Sequence, residues 1–168
     1  MKPPTIALDD AFVLDGWRTD DAAAHRDFAQ DAAAARFFDW TVEEARALPD
    51  SHYVEVVRRF QREWGTGTRV SLAIRKLDTG EAVGSVELRP SGDQAEVSYF
   101  VAAEFRGRGL APHALTALLN WTRDELPLVR HVSLNCHIDN LASQRVAEKT
   151  GFAIRERDGD ELRFGRDL

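Results

Sequence analysis

The sequence has a single cysteine and no long apolar run. Cys136 is the only cysteine among 168 residues, so no internal disulfide can form. The longest apolar stretches, such as the one that begins at Ala32–Ala35, fall far short of the roughly 18 residues that a membrane-spanning helix needs. Met1–Pro4 carries one lysine and no apolar run that resembles a signal peptide. These features predict a protein of the reducing cytoplasm without a membrane partner.

Positive charge is also scarce. The chain has 22 lysines and arginines against 28 aspartates and glutamates, which gives a formal net charge of −6. A nucleic-acid-binding protein normally gains affinity from a positive face that releases counterions, so nucleic acid is not an expected partner. An acidic surface suits an amine or a basic peptide weakly, and solubility alone also explains it.

Length and composition predict one compact domain, residues 1–168. A chain of this length is close to the size of one typical domain, and 43% hydrophobic with 30% charged residues is an ordinary globular composition. Disorder over the whole chain and a disulfide scaffold are therefore excluded.

Three helices are predicted in the first part of the chain. Thr19–Asp21 supplies an N-cap and two acids, which start a long first helix over Ala22–Phe38. The capping box Thr41–Glu44 starts a short second helix. A third helix begins at Ser51 and is expected to close at Gly65 in a left-handed conformation. Its apolar positions recur at helical spacing: Tyr53, Val57, Phe60 and Trp64.

After Gly67 the apolar period changes to two, which predicts a sheet. Turn residues separate the first strands, so they form an antiparallel meander, whereas the later strand–helix–strand order implies a parallel crossover. The Asp-Gly pair near the C-terminus predicts a closing hairpin. The predicted elements are strands over Val70–Arg75, Glu81–Arg89 and Gln94–Ala102, a helix over Gly109–Glu125, a strand over Val132–Ile138, a helix over Asn140–Lys149, and hairpin strands over Phe152–Arg157 and Glu161–Phe164.

Glu104–Ala111 carries the densest motif and joins a predicted strand to a predicted helix. Gly107 and Gly109 remove the Cβ atoms that would block an anion, and a helix N-terminus offers unpaired N–H groups. Arg106 and Arg108 add positive charge. The loop therefore either cradles a phosphate or only turns the chain. It has neither the lysine of a Walker A loop nor the acidic residue of a dinucleotide fingerprint, which disfavours nucleotide hydrolysis and dinucleotide binding.

Several segments, taken in order, resemble one enzyme family. Arg106–Ala111 resembles the Arg/Gln-x-x-Gly-x-Gly/Ala pyrophosphate loop of the GNAT (Gcn5-related) N-acetyltransferases. Ala95–Val101 and Asn140–Phe152 resemble successive segments of that family, and Thr79–Gly84 is similar to its RimJ/RimL-like branch. The resemblance runs from about Phe12 to the end. It implies an α/β (α+β) domain with a mixed, mostly antiparallel, twisted sheet, flanked by helices and splayed between two central parallel strands.

The resemblance also implies acetyl-CoA as cosubstrate, held in the gap between the splayed strands. One strand would pair with the pantetheine arm, the loop amides would bind the pyrophosphate, and the start of the last helix would bind the pantetheine amide or a catalytic water. The residues assigned to the cosubstrate are Tyr99, Phe100, Val101, Arg106, Gly107, Arg108, Gly109, Leu110, Ala111, Asn140 and Ser143.

The implied reaction is direct attack of a primary amine on the thioester in a ternary complex. Glu96 is the expected general base, with Glu87, His137 or a water as alternatives. Direct attack needs no nucleophilic side chain, and the alternation around Cys136 predicts a core residue.

The tyrosine that many family members use to protonate the departing thiolate is absent from this sequence. Many family members carry a tyrosine in the last helix, where this sequence has Ala147. Ser143 is the expected hydrogen-bond donor to the sulfur, although Asn140 and Ser143 also fit a plain helix cap. The missing tyrosine keeps a second hypothesis open, namely a noncatalytic acyl-CoA-binding regulatory module of the same fold.

The acceptor is the least defined partner, and both a protein N-terminus and a small-molecule amine fit. A nucleic-acid-binding role for the arginines of the glycine loop is disfavoured by the net charge. Relatives imply a monomer or a homodimer. Aromatic residues that line either an acceptor pocket or the core are Phe37, Phe38, Trp40 and Trp64. No metal site is predicted, because the histidines are scattered without ligand spacing: His25, His52, His113, His131 and His137.

Overall fold

The computed structural model describes residues 2–38 and 40–168. Its strands form one eight-stranded sheet in the order β1-β2-β3-β4-β5-β6-β8-β7. All neighbouring pairs are antiparallel except β5 and β6, so the predicted mixed, mostly antiparallel sheet is confirmed. The strands are β1 (Ile6–Ala7), β2 (Phe12–Gly16), β3 (Val70–Lys76), β4 (Ala82–Ser91), β5 (Gln94–Val101), β6 (His131–His137), β7 (Ala153–Asp158) and β8 (Glu161–Asp167).

Six α-helices accompany the sheet in the described residues, and none is long and apolar enough to cross a membrane. Short 3-10 turns precede the first helix at Thr19–Asp21 and follow β5 at Ala103–Phe105. The helices are α1 (Ala22–Ala29), α2 (Ala32–Ala35), α3 (Val42–Ala47), α4 (Asp50–Thr66), α5 (Leu110–Glu125) and α6 (Leu141–Lys149).

The prediction of one long helix over 22–38 was wrong, because Asp31 interrupts it. This residue is extended, with ψ 114°, and its carboxylate accepts a hydrogen bond from the Ala34 amide at 2.9 Å. A capping residue inside the alanine-rich run thus ends α1 and starts α2. Turn residues follow α2, and Phe37 and Phe38 among them border the cleft described below.

The capping box at the start of α3 is confirmed. The Thr41 hydroxyl accepts from the Glu44 amide at 3.1 Å, and the Glu44 carboxylate accepts from the Thr41 amide at 2.7 Å. The predicted end of α4 at Gly65 was wrong. Gly65 stays helical, and Gly67 takes the left-handed conformation with φ 72°, so the helix ends two residues later.

Helices cover both faces of the sheet. On one face, α5 buries Leu115 and Leu118 against the largest apolar cluster, which also contains Cys136, as its alternation predicts. On the other face, Phe28 of α1 and Val57 and Phe60 of α4 belong to a second apolar cluster, which contains Ala73 of β3. The sheet is therefore the middle layer, and both sides of β5 face packed helices.

The two parallel strands separate along their length. β5 pairs with β6 only from Gln94–Glu96 to His131–Ser133 in the described part of the chain. Beyond Glu96, β5 remains paired with β4 up to Val101, but its other edge has no strand partner. The predicted splay is therefore present, and it opens toward the start of α5.

Candidate functional site

The splay between β5 and β6 borders a cleft of about 500 Å³. β5 forms one wall, α6 the other, and the glycine loop with the start of α5 closes one end. Every residue assigned to the cosubstrate from the sequence, except Arg108, borders this cleft: Tyr99, Phe100, Val101, Arg106, Gly107, Gly109, Leu110, Ala111, Asn140 and Ser143.

The backbone of β5 offers hydrogen-bonding groups to this cleft. The Ala102 amide donates to the Val83 carbonyl at 2.9 Å, so alternate residues, including Phe100, direct their backbone toward β4. In agreement, a Cβ added to Gly84 of β4 would lie 2.5 Å from the Phe100 carbonyl oxygen. The backbone groups of Tyr99 therefore point into the cleft, whereas those of Phe100 do not.

The glycine loop leaves an open cradle at the start of α5. Gly107 and Gly109 have φ 75° and 78°, and a Cβ at either position would meet no atom within 4 Å. The first N–H groups of α5, on Leu110 and Ala111, have no partner inside the helix. Open space, unpaired amides and the positive helix end together fit a pyrophosphate group.

The positive charge at the cleft does not come from the motif arginines alone. Arg106 donates to the Val101 carbonyl at 2.8 Å and to the Asp31 carboxylate at 2.7 Å, so its guanidinium is held by the protein. Arg145 and Lys149 of α6 border the cleft instead. Neither residue was predicted from the sequence, although their spacing of four residues places them on one helix face.

Two hydroxyl groups meet at the α6 side of the cleft. The Tyr99 phenol donates a hydrogen bond to the Ser143 hydroxyl at 3.0 Å. Burial raises the pKa of Tyr99 to about 12, so the phenol keeps its proton at neutral pH. Asn140 caps α6 by accepting from the Ser143 amide at 3.1 Å, and the Ser143 hydroxyl also lies within hydrogen-bonding reach of the Cys136 thiol. Ala147 is fully buried in the core.

A second cavity, of about 460 Å³, lies on the opposite side of β5 and meets the cleft. Phe38, Tyr99 and Phe100 border both spaces. We call the second space the acceptor cavity. Its apolar wall comes mainly from aromatic side chains: Phe28, Phe38, Trp40, Tyr53, Phe60 and Phe100. Its charged side chains are Glu44, Arg59, Arg69, Glu87 and Arg89.

Glu87 is the carboxylate that borders the acceptor cavity from the sheet. It lies 3.6 Å from Arg69 and 3.2 Å from Arg89. Burial raises the pKa of Glu87, and this effect outweighs the charges of Arg69, Arg89 and Arg59, which lower it. The carboxyl group is therefore a better proton acceptor near neutral pH than an exposed glutamate.

Glu96, the expected base, borders neither space in the described residues. Its side chain is 41% exposed, accepts from Arg89 at 2.5 Å and accepts from Asn135 at 3.2 Å. His137 also lies outside both linings, and its Nδ1 accepts from the Asp139 amide at 3.0 Å. Of the candidate bases named from the sequence, Glu87 is the one that borders the acceptor cavity.

The aromatic candidates divide between the site and the core. Phe38 stacks on Trp40 with centroids 4.6 Å apart, and the Trp40 indole donates to the Ala29 carbonyl at 2.9 Å. Phe37 borders the cleft. Trp64 is buried against Trp121 and borders neither the cleft nor the acceptor cavity among the described residues.

Comparison with known proteins agrees with this architecture. Residues 12–153 match the family model of the acetyltransferase (GNAT) domain. The chain belongs to the GNAT acetyltransferase family. The GNAT sequence is 27% identical over 119 residues to "Uncharacterized N-acetyltransferase YjdG" of Bacillus subtilis (strain 168), which covers 67% of this chain and 70% of that protein.

Solved structures share the GNAT fold over nearly the whole chain. RimL, a ribosomal L7/L12 alpha-N-protein acetyltransferase in complex with coenzyme A, superposes with a TM-score of 0.81 at 18% identity and covers 98% of both chains. The microcin C7 self immunity acetyltransferase MccE, in complex with acetyl-CoA and AMP, has a TM-score of 0.79 at 16% identity and covers 96% of this chain and 94% of its own. At these identities the likeness establishes the fold.

Of the residues that line the acceptor cavity of this GNAT domain, Phe38, Trp40 and Glu87 were named from the sequence, whereas most of the others were not. His25, Tyr53 and Arg59 come from α1 and α4, whereas Arg69 precedes β3, and only packing brings them together. The cleft was found because its loop is contiguous in sequence. Among the described residues, no group of three or more His, Cys, Asp or Glu side chains is close enough to hold a metal ion.

Proposed function

We propose that this GNAT protein transfers the acetyl group of acetyl-CoA to a primary amine in a ternary complex. The observation that carries the proposal is the meeting of two cavities at Tyr99 and Phe100. One cavity ends in an amide cradle, and the other contains a buried carboxylate. An amine and a thioester entering from opposite sides of β5 would meet at this junction.

The cleft fits the cosubstrate by its shape and charge. Acetyl-CoA supplies an acetyl group activated as a thioester. The amides of Gly107–Ala111 would hold the pyrophosphate, and Arg145 and Lys149 add positive charge along α6. The backbone of Tyr99 would pair with the pantetheine arm. RimL and MccE, which have this fold and were crystallised with coenzyme A and acetyl-CoA, support the assignment.

Glu87 is proposed as the base. In the reaction the amine nitrogen bonds to the thioester carbonyl carbon, the carbon–sulfur bond breaks, and its electron pair leaves on sulfur. The proton lost by the amine passes to Glu87, whose raised pKa favours this transfer. Glu96 binds Arg89 and thereby holds it beside Glu87.

Tyr99 and Ser143 are proposed to stabilise the leaving sulfur. Their hydrogen-bonded hydroxyls border the cleft on the α6 side, and a hydroxyl donor directed at a developing thiolate lowers the barrier to bond cleavage. The proton that the sulfur finally binds comes from this pair or from solvent. These hydroxyl donors would take the role of the tyrosine that many family members carry at the position of Ala147.

The test combines binding with turnover. We expect coenzyme A to bind in a calorimetric titration, and thiol release from acetyl-CoA to depend on an added primary amine. Binding of coenzyme A without amine-dependent thiol release, across a panel of amino acids, peptides and simple amines, would favour the noncatalytic acyl-CoA-binding module. No binding at millimolar concentration would exclude both functions.

A further inference from the structure

The cationic side chains of the acceptor cavity differ in how closely carboxylates pair with them: Arg69 lies 3.2 Å from Glu63, and Arg89 lies 2.5 Å from Glu96. Arg59, Arg69 and Arg89 border it together with Glu44 and Glu87. The Glu44 carboxylate is already used by the capping box of α3. Glu87 loses its charge whenever it accepts the amine proton, so the cavity becomes more positive as the proposed reaction proceeds.

Of the three arginines that border the cavity, Arg59 makes the fewest polar contacts within the protein. Arg89 makes three hydrogen bonds within the protein, and Arg69 lies 3.2 Å from Glu63 and 3.6 Å from Glu87. Arg59 makes no hydrogen bond with the described residues, and its ion pair with Glu63 is long, at 3.9 Å. Its side chain is 51% exposed where it borders the cavity. The guanidinium is therefore available to a ligand.

A chain of ion pairs connects Arg59 to Glu87, the proposed base. Glu63 contacts both Arg59 and Arg69, and Arg69 also contacts Glu87. An anion bound to Arg59 from the cavity, where Arg59 and Arg69 both border it, would thus lie close to an amine beside Glu87. Guanidinium groups bind carboxylates with paired, charge-assisted hydrogen bonds, so a carboxylate is a suitable anion.

Charge also distinguishes among amines. Arg69 and Arg89 are closely paired with Glu63 and Glu96, so Arg59 is the cation of the cavity with the least compensated charge. A carboxylate on the acceptor would pair with Arg59, whereas an amine without a carboxylate gains nothing from it.

The rest of the cavity is apolar. Phe28, Tyr53 and Phe60 are buried side chains that border it, and the stacked pair Phe38–Trp40 covers another side. A cavity of about 460 Å³ is large enough for one small molecule with an apolar side chain.

We infer that the acceptor is an α-amino acid with an apolar side chain, and that Arg59, aided by Arg69, binds its carboxylate. The inference rests on the proposed function and chooses among its acceptor classes. The amine would then lie beside Glu87, and the side chain would contact the aromatic wall.

Matched substrates test the inference directly. Phenylalanine, leucine, methionine and tryptophan are each compared with their amides, which keep the amine and the side chain but lack the carboxylate. We expect kcat/KM for the best amino acid to exceed that of its amide by about 10- to 100-fold. This order is expected although the less basic amine of the amide is more often deprotonated at neutral pH.

A variant and its control test the role of Arg59. Arg59→Gln is expected to lower kcat/KM for the amino acid by about tenfold, with little effect on the amide or on coenzyme A binding. Arg58→Gln makes the same charge change on the preceding residue of α4, which is exposed and does not border the cavity. It is expected to leave both substrates unaffected.

Three results would overturn the inference. The first is equal use of amino acids and amides, and the second is an equal loss for both in Arg59→Gln. The third is faster acetylation of the tripeptide amide Phe-Ala-Ala-NH2 than of phenylalanine, which would favour a peptide N-terminus. Coenzyme A binding without thiol release for any amine is a different result, because it removes the proposed function as well.

Discussion

The phenol of Tyr99 donates a hydrogen bond to the hydroxyl of Ser143 at 3.0 Å. This contact joins β5 to α6 across the cleft, on the side where the core position Ala147 has no hydroxyl to offer. The tyrosine that we propose as a donor is therefore on a strand, 48 positions before Ala147 in the sequence. The noncatalytic hypothesis loses its main motivation if these hydroxyls act on the thiolate.

Removal of either hydroxyl is expected to slow the chemical step. Ser143→Ala and Tyr99→Phe should each lower kcat by about 10- to 100-fold, because a donor to the leaving sulfur is lost in the transition state. The dissociation constant of coenzyme A should change by less than about threefold. Steady-state thiol release and calorimetry measure the two quantities. Ser51→Ala, at the exposed start of α4, serves as the control. Wild-type kcat in both variants would contradict the assignment.

The identity of the base is tested by a pair of isosteric variants. Glu87→Gln should lower kcat by about 100-fold or more, whereas Glu96→Gln should cost much less, because it removes only an ion pair with Arg89. In the wild type, the rate should rise with pH through the pKa of Glu87, since only the deprotonated carboxylate accepts a proton. Burial places this limb above the ordinary value of 4.5. The limb should disappear in Glu87→Gln, and the opposite ranking of the two variants would restore Glu96 as the base.

The glycine cradle is tested by two glycines of similar conformation. Gly109 and Gly159 have φ 78° and 56°, and neither has an atom within 4 Å of an added Cβ. Gly109→Trp and Gly159→Trp should therefore each lose about 1–2 kcal/mol of stability from left-handed strain. Only Gly109→Trp should weaken coenzyme A binding, by about tenfold or more, because its side chain would cover the amides. Equal affinities measured by calorimetry would remove the cradle assignment.

A buried ion pair supports the α1 side of the fold. Arg75 donates two hydrogen bonds to Asp21, at 2.9 and 2.8 Å, and both side chains are buried. Asp21→Ala leaves the guanidinium buried without its main partner, so the free energy of unfolding should fall by about 3–5 kcal/mol in urea titrations. Asp20→Ala, at the exposed neighbour, should change it by no more than about 0.5 kcal/mol. A loss below about 1 kcal/mol in Asp21→Ala would contradict this role.

The fold was predictable where one period dominates a segment. Alternation over Val70–Arg75 and helical spacing over Gly109–Glu125 led to β3 and α5 with nearly correct bounds. β1 was missed because Ile6–Ala7 is too short to show a period, and β2 because its pairing with β3 is decided by tertiary contact. The break at Asp31 was missed because helix-forming alanines surround it.

The site was predictable only where it is local. Gly107 and Gly109 lie within one motif, so a contiguous pattern carries their role. The acceptor cavity is assembled from α1, α3, α4 and the strands β4 and β5, and no sequence spacing relates Arg59 to Glu87. The contact between Tyr99 and Ser143 likewise depends on how β5 faces α6. Such relationships follow from packing and could not be read from local periodicity.

Acid should weaken the fold through His25. Its Nδ1 atom is buried with no hydrogen-bond partner among the described residues, and its ring packs against Trp17, Tyr53 and Phe60. Burial above all, with help from Arg59, lowers the pKa of His25 from 6.5 to about 4. The folded state therefore binds this proton less readily than the unfolded state does. The stabilisation that neutral His25 contributes to the fold is fully present above pH 6.5 and is lost as the pH falls toward 4.

The expected size of this effect is about 2–3 kcal/mol between pH 7 and pH 4.5. Urea titrations at the two pH values measure it as the difference between the wild type and His25→Phe, which keeps an aromatic ring but cannot be protonated. On acidification, the free energy of unfolding of the variant should fall by about 2–3 kcal/mol less than that of the wild type. His113→Gln, at an exposed histidine of α5, should keep the full wild-type dependence. If His25→Phe loses as much stability as the wild type, then carboxylates rather than this buried imidazole govern the acid sensitivity, and the ring must accept a proton in the folded state at little cost.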